Sequence, residues 1–482
     1  MKIALIWPYG FDTTYTLPLS LGYLKSNIKD KKHQIKIFDY ALKGTKADSG
    51  SLQKMLTEFN PDLIGVSCWS PTYIESINIL IVAKKHNSKI ITILGGAHAT
   101  AYASKIMKNN PQLVNYIFRG EAELDFPVFL EEIEKANPDW SKIKGLAYRN
   151  SRGEIVENEM RREVDLDQIT FPDYDSIEFS DYLKKGYRLN TKYKENAPIW
   201  ATRGCPYNCS FCTSSLQNGK LVRTHSIPYL MRWVKHLYDE KGIRMINIVD
   251  DNFTFNIEFA KEFCRAVIDL DLKSLKFATP NGIRIQRTDR ELMKLMKRAG
   301  WESLIVAPES GSEKTLQRMN KKVNPDEIYQ KVKEIKEEGL KVHGFFILGY
   351  PGETVEDIRK TVKFIRKCRF NFFFLNNFQP LPGTSIYNEL VEKKEIKDGL
   401  LPENFSDGKR VYLPEGLKDF NFPRLILKEY LYLAFSNPLN IPYMFKIINP
   451  VMVGKKVYSN LKSMFSAKGT KSIEEDKLTT HA

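Results

Sequence analysis

The sequence predicts an α/β protein built from two successive series of alternating strands and helices. In the first 145 residues, short apolar runs alternate with segments of helical period, which is typical of an open, doubly wound parallel sheet. From residue 191 onward, six further strand candidates each end in polar or glycine-rich residues, as barrel strands do around an active site. The 482 residues suffice for two or three domains with full cores.

The strand candidates of the first series are β-branched runs bounded by turn residues. A segment of helical period, Ile74 to Lys85, lies between two of them. The five runs are Lys2–Trp7, Gln34–Asp39, Leu63–Cys68, Ile90–Gly96 and Tyr116–Glu121. Ligands of open parallel sheets bind outside the carboxyl ends of the strands, so the last residues of these runs are candidates for ligand contacts.

A connector is expected between the two series. Asn150 to Gly153 is a hairpin-like turn, and the stretch around Pro172 is polar, as linkers are. The second series predicts a partial (β/α)6 barrel, followed by a mainly helical C-terminal segment. The predicted organisation is a sheet domain over 1–145, a connector over 146–190, the barrel over 191–390, the helical segment over 391–465 and a disordered polar tail over 466–482.

Three cysteines in one short segment form the most specific motif of the chain. Cys205, Cys209 and Cys212 have the spacing C-x3-C-x2-C. Three thiolates suit an iron–sulfur cluster, because structural zinc sites usually have four nitrogen or sulfur ligands. A four-iron cubane held by three thiolates keeps one iron open for an outside ligand. A zinc knuckle is the structural alternative.

With this motif, the sequence resembles the radical S-adenosylmethionine (SAM) superfamily. In that family, SAM chelates the open iron of a [4Fe-4S] cluster, and one electron from the cluster splits SAM to give a 5′-deoxyadenosyl radical. The resemblance implies that Cys205, Cys209 and Cys212 are the cluster ligands. It also implies that Phe211, the aromatic residue before the third cysteine, packs near the adenine of SAM.

Further SAM contacts are implied at the carboxyl ends of the barrel strands. Asp250 and Asp251 stand where the family places an acceptor for the SAM ammonium group. Glu309 and Ser310 match the position that meets the ribose or the methionyl carboxylate, and Gly349 ends the glycine-containing strand beside the adenine. The alternative for Asp250, Asp251 and Glu309 is helix N-capping.

The first domain resembles the Rossmann-like cobalamin-binding domain of one radical SAM subfamily. The resemblance rests on Gly95-Gly96-Ala97-His98, on Arg119-Gly120-Glu121-Ala122-Glu123 and on the upstream segment Pro18 to Leu24. The cobalamin contacts that it implies are Trp7, Trp69, Gly95, Gly96, His98, Gly120 and Glu121. Gly95 and Gly96 would let the backbone approach a large flat ligand.

Each of these residues has a structural alternative. A lone histidine after a Gly-Gly turn is often a packing residue, and Gly120 and Glu121 could cap the next helix. None of the seven histidines lies in the Asp-x-His-x-x-Gly setting of proteins that bind cobalt through a histidine. No histidine ligand of that type is therefore expected on the cobalt.

Composition narrows the class of protein. Three of the six cysteines belong to the motif and no disulfide framework is evident, so a reducing compartment, the cytoplasm, is expected. Cys264 and Cys368 lie on apolar helix faces and are expected to be buried. Neither a signal peptide nor a membrane-spanning run is evident. The net charge of +15 comes from scattered lysines, so no nucleic-acid partner is expected.

The C-terminal segment carries a local excess of positive charge. Residues 421–470 contain seven basic residues and one acid, with a strongly apolar run from Arg424 to Phe435. Basic, aromatic helices can lie on an anionic membrane surface, so peripheral contact with the inner face of a membrane is one expectation. The alternative is that this segment packs over the barrel mouth and closes the substrate cavity.

The function implied by the two resemblances is methylation of an unactivated carbon by a cobalamin-dependent radical SAM enzyme. The cofactors would be a [4Fe-4S] cluster, SAM and cobalamin. The partners would be a small-molecule or lipid-like substrate and an electron donor such as flavodoxin or ferredoxin. No catalytic side chain is assigned.

Three other functions stay open from the sequence. One is a cobalamin-assisted rearrangement or ring formation on a lipid or isoprenoid. A second is a non-catalytic iron–sulfur protein that binds nucleic acid or senses redox state. A third is transfer-RNA methylthiotransfer, which would need a second cysteine-ligated cluster upstream, where Cys68 is the only cysteine.

Overall fold

The first strand–helix series forms one seven-stranded sheet in the computed structural model, which describes residues 1–10, 17–30, 32–162, 165–185, 193–399 and 412–436. Its elements are β1 (Lys2–Trp7), α1 (Leu19–Asn27), β2 (Gln34–Asp39), α2 (Tyr40–Lys43), α3 (Gly50–Phe59), β3 (Leu63–Ser67), α4 (Tyr73–His86), β4 (Ile91–Gly95), α5 (Ala97–Asn109), β5 (Tyr116–Phe118), α6 (Asp125–Glu132), β6 (Leu146–Arg149) and β7 (Ile155–Glu157). The strand order is β2-β1-β3-β4-β5-β6-β7.

Both faces of this sheet are covered, as a doubly wound fold requires. Along β1, Ile3, Leu5 and Trp7 pack in one hydrophobic cluster, whereas Ala4 and Ile6 pack in another. The first cluster includes residues of α1 and α6, and the second includes residues of α3, α4 and α5. Successive side chains of a strand point to opposite faces, so helices lie on both sides of the sheet. The predicted fold class is confirmed.

The hairpin at Asn150–Gly153 is part of this sheet and not of a free connector. Strands β6 and β7 pair antiparallel, and β6 also pairs with β5 through Ile117 opposite Ala147 and Phe118 opposite Leu146. This pairing is stabilised by burial, because Leu146 and Ala147 are both fully buried. Leu146 belongs to the hydrophobic cluster on one face of the sheet and Ala147 to the cluster on the other face. The sheet therefore extends beyond the boundary predicted at residue 145.

The second series follows α7 (Phe179–Lys184). Its elements are β8 (Asn196–Ile199), β9 (Thr202–Arg203), α8 (Ser214–Asn218), β10 (Arg223–Thr224), α9 (Ile227–Lys235), β11 (Met245–Ile248), α10 (Ile257–Asp269), β12 (Lys276–Ala278), α11 (Arg290–Ala299), β13 (Ser303–Glu309), α12 (Glu313–Arg318), α13 (Pro325–Glu337), β14 (Lys341–Leu348), α14 (Val355–Cys368), β15 (Phe372–Asn377) and α15 (Ser385–Glu392).

Six parallel strands of this series form an open barrel. Strands β8, β11 and β12 make one three-stranded sheet, and β13, β14 and β15 make another. Parallel bridges from Phe277 to Trp301 and from Ile283 to Val306 connect the two halves. The order of the strands follows the chain, as in a (β/α) barrel.

The first barrel strand differs from its prediction. The run Pro198–Thr202 is divided into β8, which ends at Ile199, and β9, which pairs antiparallel with β10. The division occurs because the carboxylate of Asp250 accepts hydrogen bonds from the amides of Ala201 and Thr202, both at 2.8 Å. Those amides are thereby withdrawn from the strand ladder just before the cysteine motif.

Contacts between α-carbons divide the chain into one unit over residues 1–417 and another over 418–482. In the second unit the structure describes α16 (Phe422–Ser436). Most of the predicted helical segment and basic region, from residue 437 onward, lies outside the described residues, as do residues 400–411 and the predicted tail. Among the described helices, none is both long and apolar enough to cross a membrane.

Candidate cofactor site

The cluster loop, residues 204–213, leaves the carboxyl end of β9 through a glycine that no other residue could replace without strain. Gly204 has φ +99°, and a Cβ atom at this position would lie 2.2 Å from the carbonyl oxygen of Leu221. The next residue, Cys205, donates its amide to the carbonyl of Gly219 at 3.0 Å. The backbone around the first cysteine is therefore held against the segment that follows α8.

The three cysteines differ in exposure. Cys205 and Cys209 are half-buried and Cys212 is exposed. Burial raises the pKa of Cys205 to about 11 and also raises that of Cys209, where the charges of Lys321 and Arg284 act in the opposite direction. Thiols must lose their protons to bind iron, so cluster binding here releases protons.

Within the described part of the chain, no group of three or more His, Cys, Asp or Glu side chains is placed to ligate one metal ion. In a cubane each thiolate binds a different iron, so ligands spread along one loop fit that cluster. The donor set and its arrangement agree with a [4Fe-4S] site.

The cluster loop is held on a second side by the brace, residues 318–322, which follows α12. The amide of Ser210 donates to the carbonyl of Met319 at 2.9 Å, and Asn320 Nδ2 donates to the carbonyl of Asn208 at 2.8 Å. The hydroxyls of Ser210 and Tyr350 are 2.6 Å apart. The loop geometry is thus set by residues more than 100 positions away along the chain.

Asp250 lies beneath the cluster loop. It is buried, and both carboxylate oxygens accept from the backbone, at Ala201 and Thr202. Burial raises the pKa of Asp250 to about 8, against the opposing effect of these hydrogen bonds. Its neighbour Asp251 accepts from Asn218 Nδ2 at 2.8 Å. Asp250 therefore fixes the start of the loop. Asp251 is the less buried of the two predicted ammonium acceptors.

The structure brings Glu309 to the cluster loop but separates Ser310 from it. Glu309 has φ +68° after a register shift in β13, and its carboxylate pairs with Lys321 Nζ at 2.9 Å. Ser310 is fully buried, where its hydroxyl bonds to Thr361 Oγ1 at 3.0 Å and to the amide of Ser312 at 3.1 Å. Ser310 therefore joins β13 to α14, and its predicted contact with SAM has no support in this placement.

Gly349 and Phe211 meet through Tyr350. Gly349, at φ +80°, donates its amide to Glu353 Oε2 at 2.6 Å. Tyr350 packs edge-on against Phe211, with 6.4 Å between ring centroids. The predicted adenine-side residues Phe211 and Gly349 thus lie together at the carboxyl end of β14.

The predicted cobalamin contacts at the ends of β1, β3 and β4 are close to one another. The rings of Trp7 and Trp69 are 5.5 Å apart, edge to face. Gly96 has φ +101°, and a Cβ there would lie 2.9 Å from the carbonyl oxygen of Cys68. The close approach that Gly96 permits is therefore to the protein backbone, whereas Gly95 meets its nearest neighbour only at ordinary contact distance.

His98 is a buried packing residue. Its Nδ1 lies 3.1 Å from Ser70 Oγ, and its ring contacts those of Tyr73 and Tyr102 at 4.6 and 5.2 Å. Burial lowers the pKa of His98 to about 4, so the ring is neutral at physiological pH. The structure places His98 inside the fold, where it packs α4 against α5.

Glu121, a predicted cobalamin contact, takes part in buried ion pairs. Its carboxylate lies between two guanidinium groups: Arg223 Nη1 is 2.9 Å away and Arg203 Nη1 is 3.4 Å away. Glu123 pairs with Arg203 Nη2 at 2.8 Å. Gly120, at φ +70°, donates its amide to Thr100 Oγ1 at 3.0 Å. Glu121, Glu123, Arg203 and Arg223 are together called the charge clamp. They connect the first sheet to β9 and β10, the strands that precede and follow the cluster loop and α8.

Sequence reasoning missed the arginines of the charge clamp and the residues of the brace. Arg203 lies directly before Gly204, and its guanidinium also stacks on the rings of Tyr23 and Trp200 at 5.3 and 5.2 Å. The available indication was the pair of acids, Glu121 and Glu123, two residues apart at a strand end. Two buried acids require two buried cations.

Comparison with known proteins agrees with this geometry. The family model for the radical SAM superfamily matches residues 201–365, and that for the B12 binding domain matches residues 13–130. An uncharacterized methyltransferase of Pyrococcus horikoshii is 30% identical over 382 residues, which are 78% of each chain. The cytidylyl-2-hydroxyethylphosphonate methyltransferase of Streptomyces wedmorensis is 27% identical over 424 residues, also 78% of each chain.

The fold is shared with a solved structure. The cobalamin-dependent S-adenosylmethionine radical enzyme OxsB, with aqua-cobalamin and SAM bound, superposes with a TM-score of 0.72 at 17% identity, over 96% of this chain and 71% of that one. The two matched domains imply a [4Fe-4S] cluster, SAM and cobalamin as cofactors. The chain belongs to the radical SAM superfamily, in the group whose members carry an N-terminal cobalamin-binding domain.

Proposed function

We propose that the protein is a cobalamin-dependent radical SAM methyltransferase that methylates an unactivated carbon of a small molecule. The observation that carries the proposal is the three-cysteine loop at the carboxyl ends of the barrel strands, fixed to the cobalamin-binding sheet by the buried charge clamp of Glu121, Glu123, Arg203 and Arg223. Two relatives with 78% mutual coverage are methyltransferases by name, which supports this reaction class.

The chain would bind the cluster through Cys205, Cys209 and Cys212, and SAM through the groups around Phe211, Asp251, Glu309 and Gly349. When bound, these cofactors would supply a carbon radical and a transferable methyl group. Radical chemistry is needed because acid–base catalysis cannot activate an inert C–H bond. The protein positions them and keeps water and oxygen from the site. Cobalamin would lie on the carboxyl edge of the first sheet, near Trp7, Trp69 and Gly95.

The electron that starts the reaction would come from a low-potential carrier of the flavodoxin or ferredoxin class. The identity of the small molecule depends on loops that line the barrel mouth. Contact with a membrane surface is not proposed, because most of the basic region over residues 421–470 lies outside the described residues.

The test is anaerobic reconstitution of the full chain with iron, sulfide and hydroxocobalamin, followed by incubation with SAM and a strong reductant. The expected products are 5′-deoxyadenosine and S-adenosylhomocysteine, both measured by mass spectrometry. Deoxyadenosine without S-adenosylhomocysteine would argue against methyl transfer and for a rearrangement or ring formation. Failure to retain cobalamin on gel filtration would contradict the role of the N-terminal domain.

A further inference from the structure

The brace has a backbone shape that costs free energy. Asn320 and Lys322 have φ +50° and +47°, values that non-glycine residues seldom adopt. Arg284 holds this shape from below: Nη2 donates to the carbonyls of Lys321 and Lys322 at 2.8 and 2.6 Å. The same guanidinium lies 3.6 Å from the ring centroid of Tyr207 in the cluster loop. Strain of this kind persists where the surroundings fix it, and it often marks a functional position.

This shape places a largely, but not fully, buried cation beside the cluster loop. The side chain of Lys321 is 13% exposed, and that of its partner Glu309 is 10% exposed. Lys321 Nζ lies 5.9 Å from the ring centroid of Phe211. Along the chain, Phe211 stands between the second and third cysteines of the motif. Lys322, the neighbour of Lys321, has by contrast an exposed side chain.

Lys321 and Glu309 carry opposite charges at a position where little solvent screens them. Burial alone would lower the pKa of Lys321, but the ion pair with Glu309 holds it above its usual value, so the ammonium group is protonated. Charges inside a protein interact more strongly than charges in water, because fewer water molecules screen them. A cluster gains one negative charge on reduction, and nearby charges therefore shift its potential.

We propose that the charges of Lys321 and Glu309 set the reduction potential of the cluster. Lys321 raises the potential and Glu309 lowers it. One electron enters from a low-potential carrier protein, and no bond or proton in the pair changes. Lys321 favours the reduced form because a cation stabilises added negative charge. Glu309 limits this effect, so each partner acts on the same electron with opposite sign.

This inference deepens the proposed function, because it assumes that Cys205, Cys209 and Cys212 hold the cluster. The experiment is a redox titration of the anaerobically reconstituted full chain, followed by electron paramagnetic resonance, without substrate. Lys321→Met is expected to lower the midpoint potential and Glu309→Gln to raise it. The double variant is expected close to the wild type, and Lys321→Arg, which keeps the charge, is expected to stay near it as well.

Lys322→Met is the matched control, since it removes a lysine one residue away whose side chain is in solvent. Iron content and circular dichroism identify any variant that does not fold, and Glu309→Gln remains informative if Lys321→Met is lost. Equal potentials in both single variants, shifts of the same sign, or an equal shift in Lys322→Met would overturn the inference. A wild type without a reducible cubane would instead refute the proposed function itself.

Discussion

Arg203 Nη2 lies 2.8 Å from Glu123 Oε1, and both side chains are buried. Arg203 directly precedes the glycine that begins the cluster loop, whereas Glu123 follows the last parallel strand of the cobalamin-binding sheet. The two matched domains are therefore joined by an ion pair directly before the three-cysteine motif. Removing one partner of such a pair leaves a buried charge without its counterion.

Glu123→Gln is expected to lower the free energy of unfolding by roughly 3–5 kcal/mol, the range for one partner of a buried pair. The iron content of the purified protein should fall as well, because the Arg203 side chain would keep only its longer contact to Glu121 and would hold the start of the cluster loop less firmly. Chemical denaturation and iron analysis measure the two effects. Glu159→Gln is the control: its side chain is 84% exposed, and a change within about 0.5 kcal/mol is expected. A stable Glu123 variant would show that the charge clamp is not structural.

Replacing any one of Cys205, Cys209 and Cys212 by alanine is expected to abolish the four-iron cluster and all cleavage of SAM. The reason is that the thiolates hold different irons and cannot substitute for one another. Iron and sulfide analysis with optical spectroscopy measures the loss. Cys264→Ala, at a buried apolar position, is expected to keep the cluster and lose about 1 kcal/mol of stability. Full cluster content in any of the three loop variants would contradict the ligand assignment.

Gly204→Ala is expected to disrupt the cluster loop, because its Cβ would lie 2.2 Å from the carbonyl of Leu221. The matched control is Gly153→Ala, which has a similar backbone, φ +80°, but no atom within 4 Å of the added carbon. We expect Gly153→Ala to cost about 1 kcal/mol from backbone conformation alone. Gly204→Ala should cost a further 1–3 kcal/mol or so for the overlap, with reduced iron content. Equal effects of the two substitutions would refute the role of close approach at Gly204.

Glu353 should give the protein a specific pH dependence. Burial raises its pKa from 4.5 to about 7, against the amides of Gly349 and Tyr350 that favour the carboxylate. A carboxyl group whose folded pKa is raised contributes stability below its unfolded pKa, and this contribution is lost as the pH rises through about 7.

The loss occurs progressively between the unfolded pKa of 4.5 and the folded pKa of about 7. The difference in unfolding free energy between wild type and Glu353→Gln should therefore shift against the wild type between pH 5.5 and 8.5, by about 2 kcal/mol. Chemical denaturation across this pH range measures the shift. Glu356→Gln, three residues further along in the first turn of α14, is the matched control, since its side chain is 64% exposed, and it should show no such dependence. A parallel pH profile of Glu353→Gln and wild type would exclude Glu353 as the titrating group.

The strands and the cysteine loop could be predicted because their evidence is local. Runs such as Leu63–Ser67 are buried on both sides, so nearly every residue is apolar, and this is visible in the sequence. The hairpin of β6 and β7 was also visible as a hairpin. Its pairing with β5 was not, because the antiparallel register joins residues about 30 positions apart, which a turn motif alone does not specify.

The roles of charged residues could not be predicted in the same way. Glu121 stands in a motif that suggests a ligand contact, but its partners Arg203 and Arg223 lie more than 80 residues later in the chain. Lys321 belongs to a chain rich in surface lysines, and nothing local distinguishes it from its exposed neighbour Lys322. Burial of a charge is decided by tertiary packing, so the charge clamp and the brace became visible only in three dimensions.

The unequal exposure of the three cysteines has a consequence for handling the protein. Cys212 is open to solvent while Cys205 and Cys209 are half covered. In cluster-free protein, an alkylating reagent or dissolved oxygen will meet the Cys212 sulfur first. Mass spectrometry of samples exposed to air should therefore find the earliest irreversible damage at this single thiol, and its intact fraction measures how much of a preparation can still be loaded with iron.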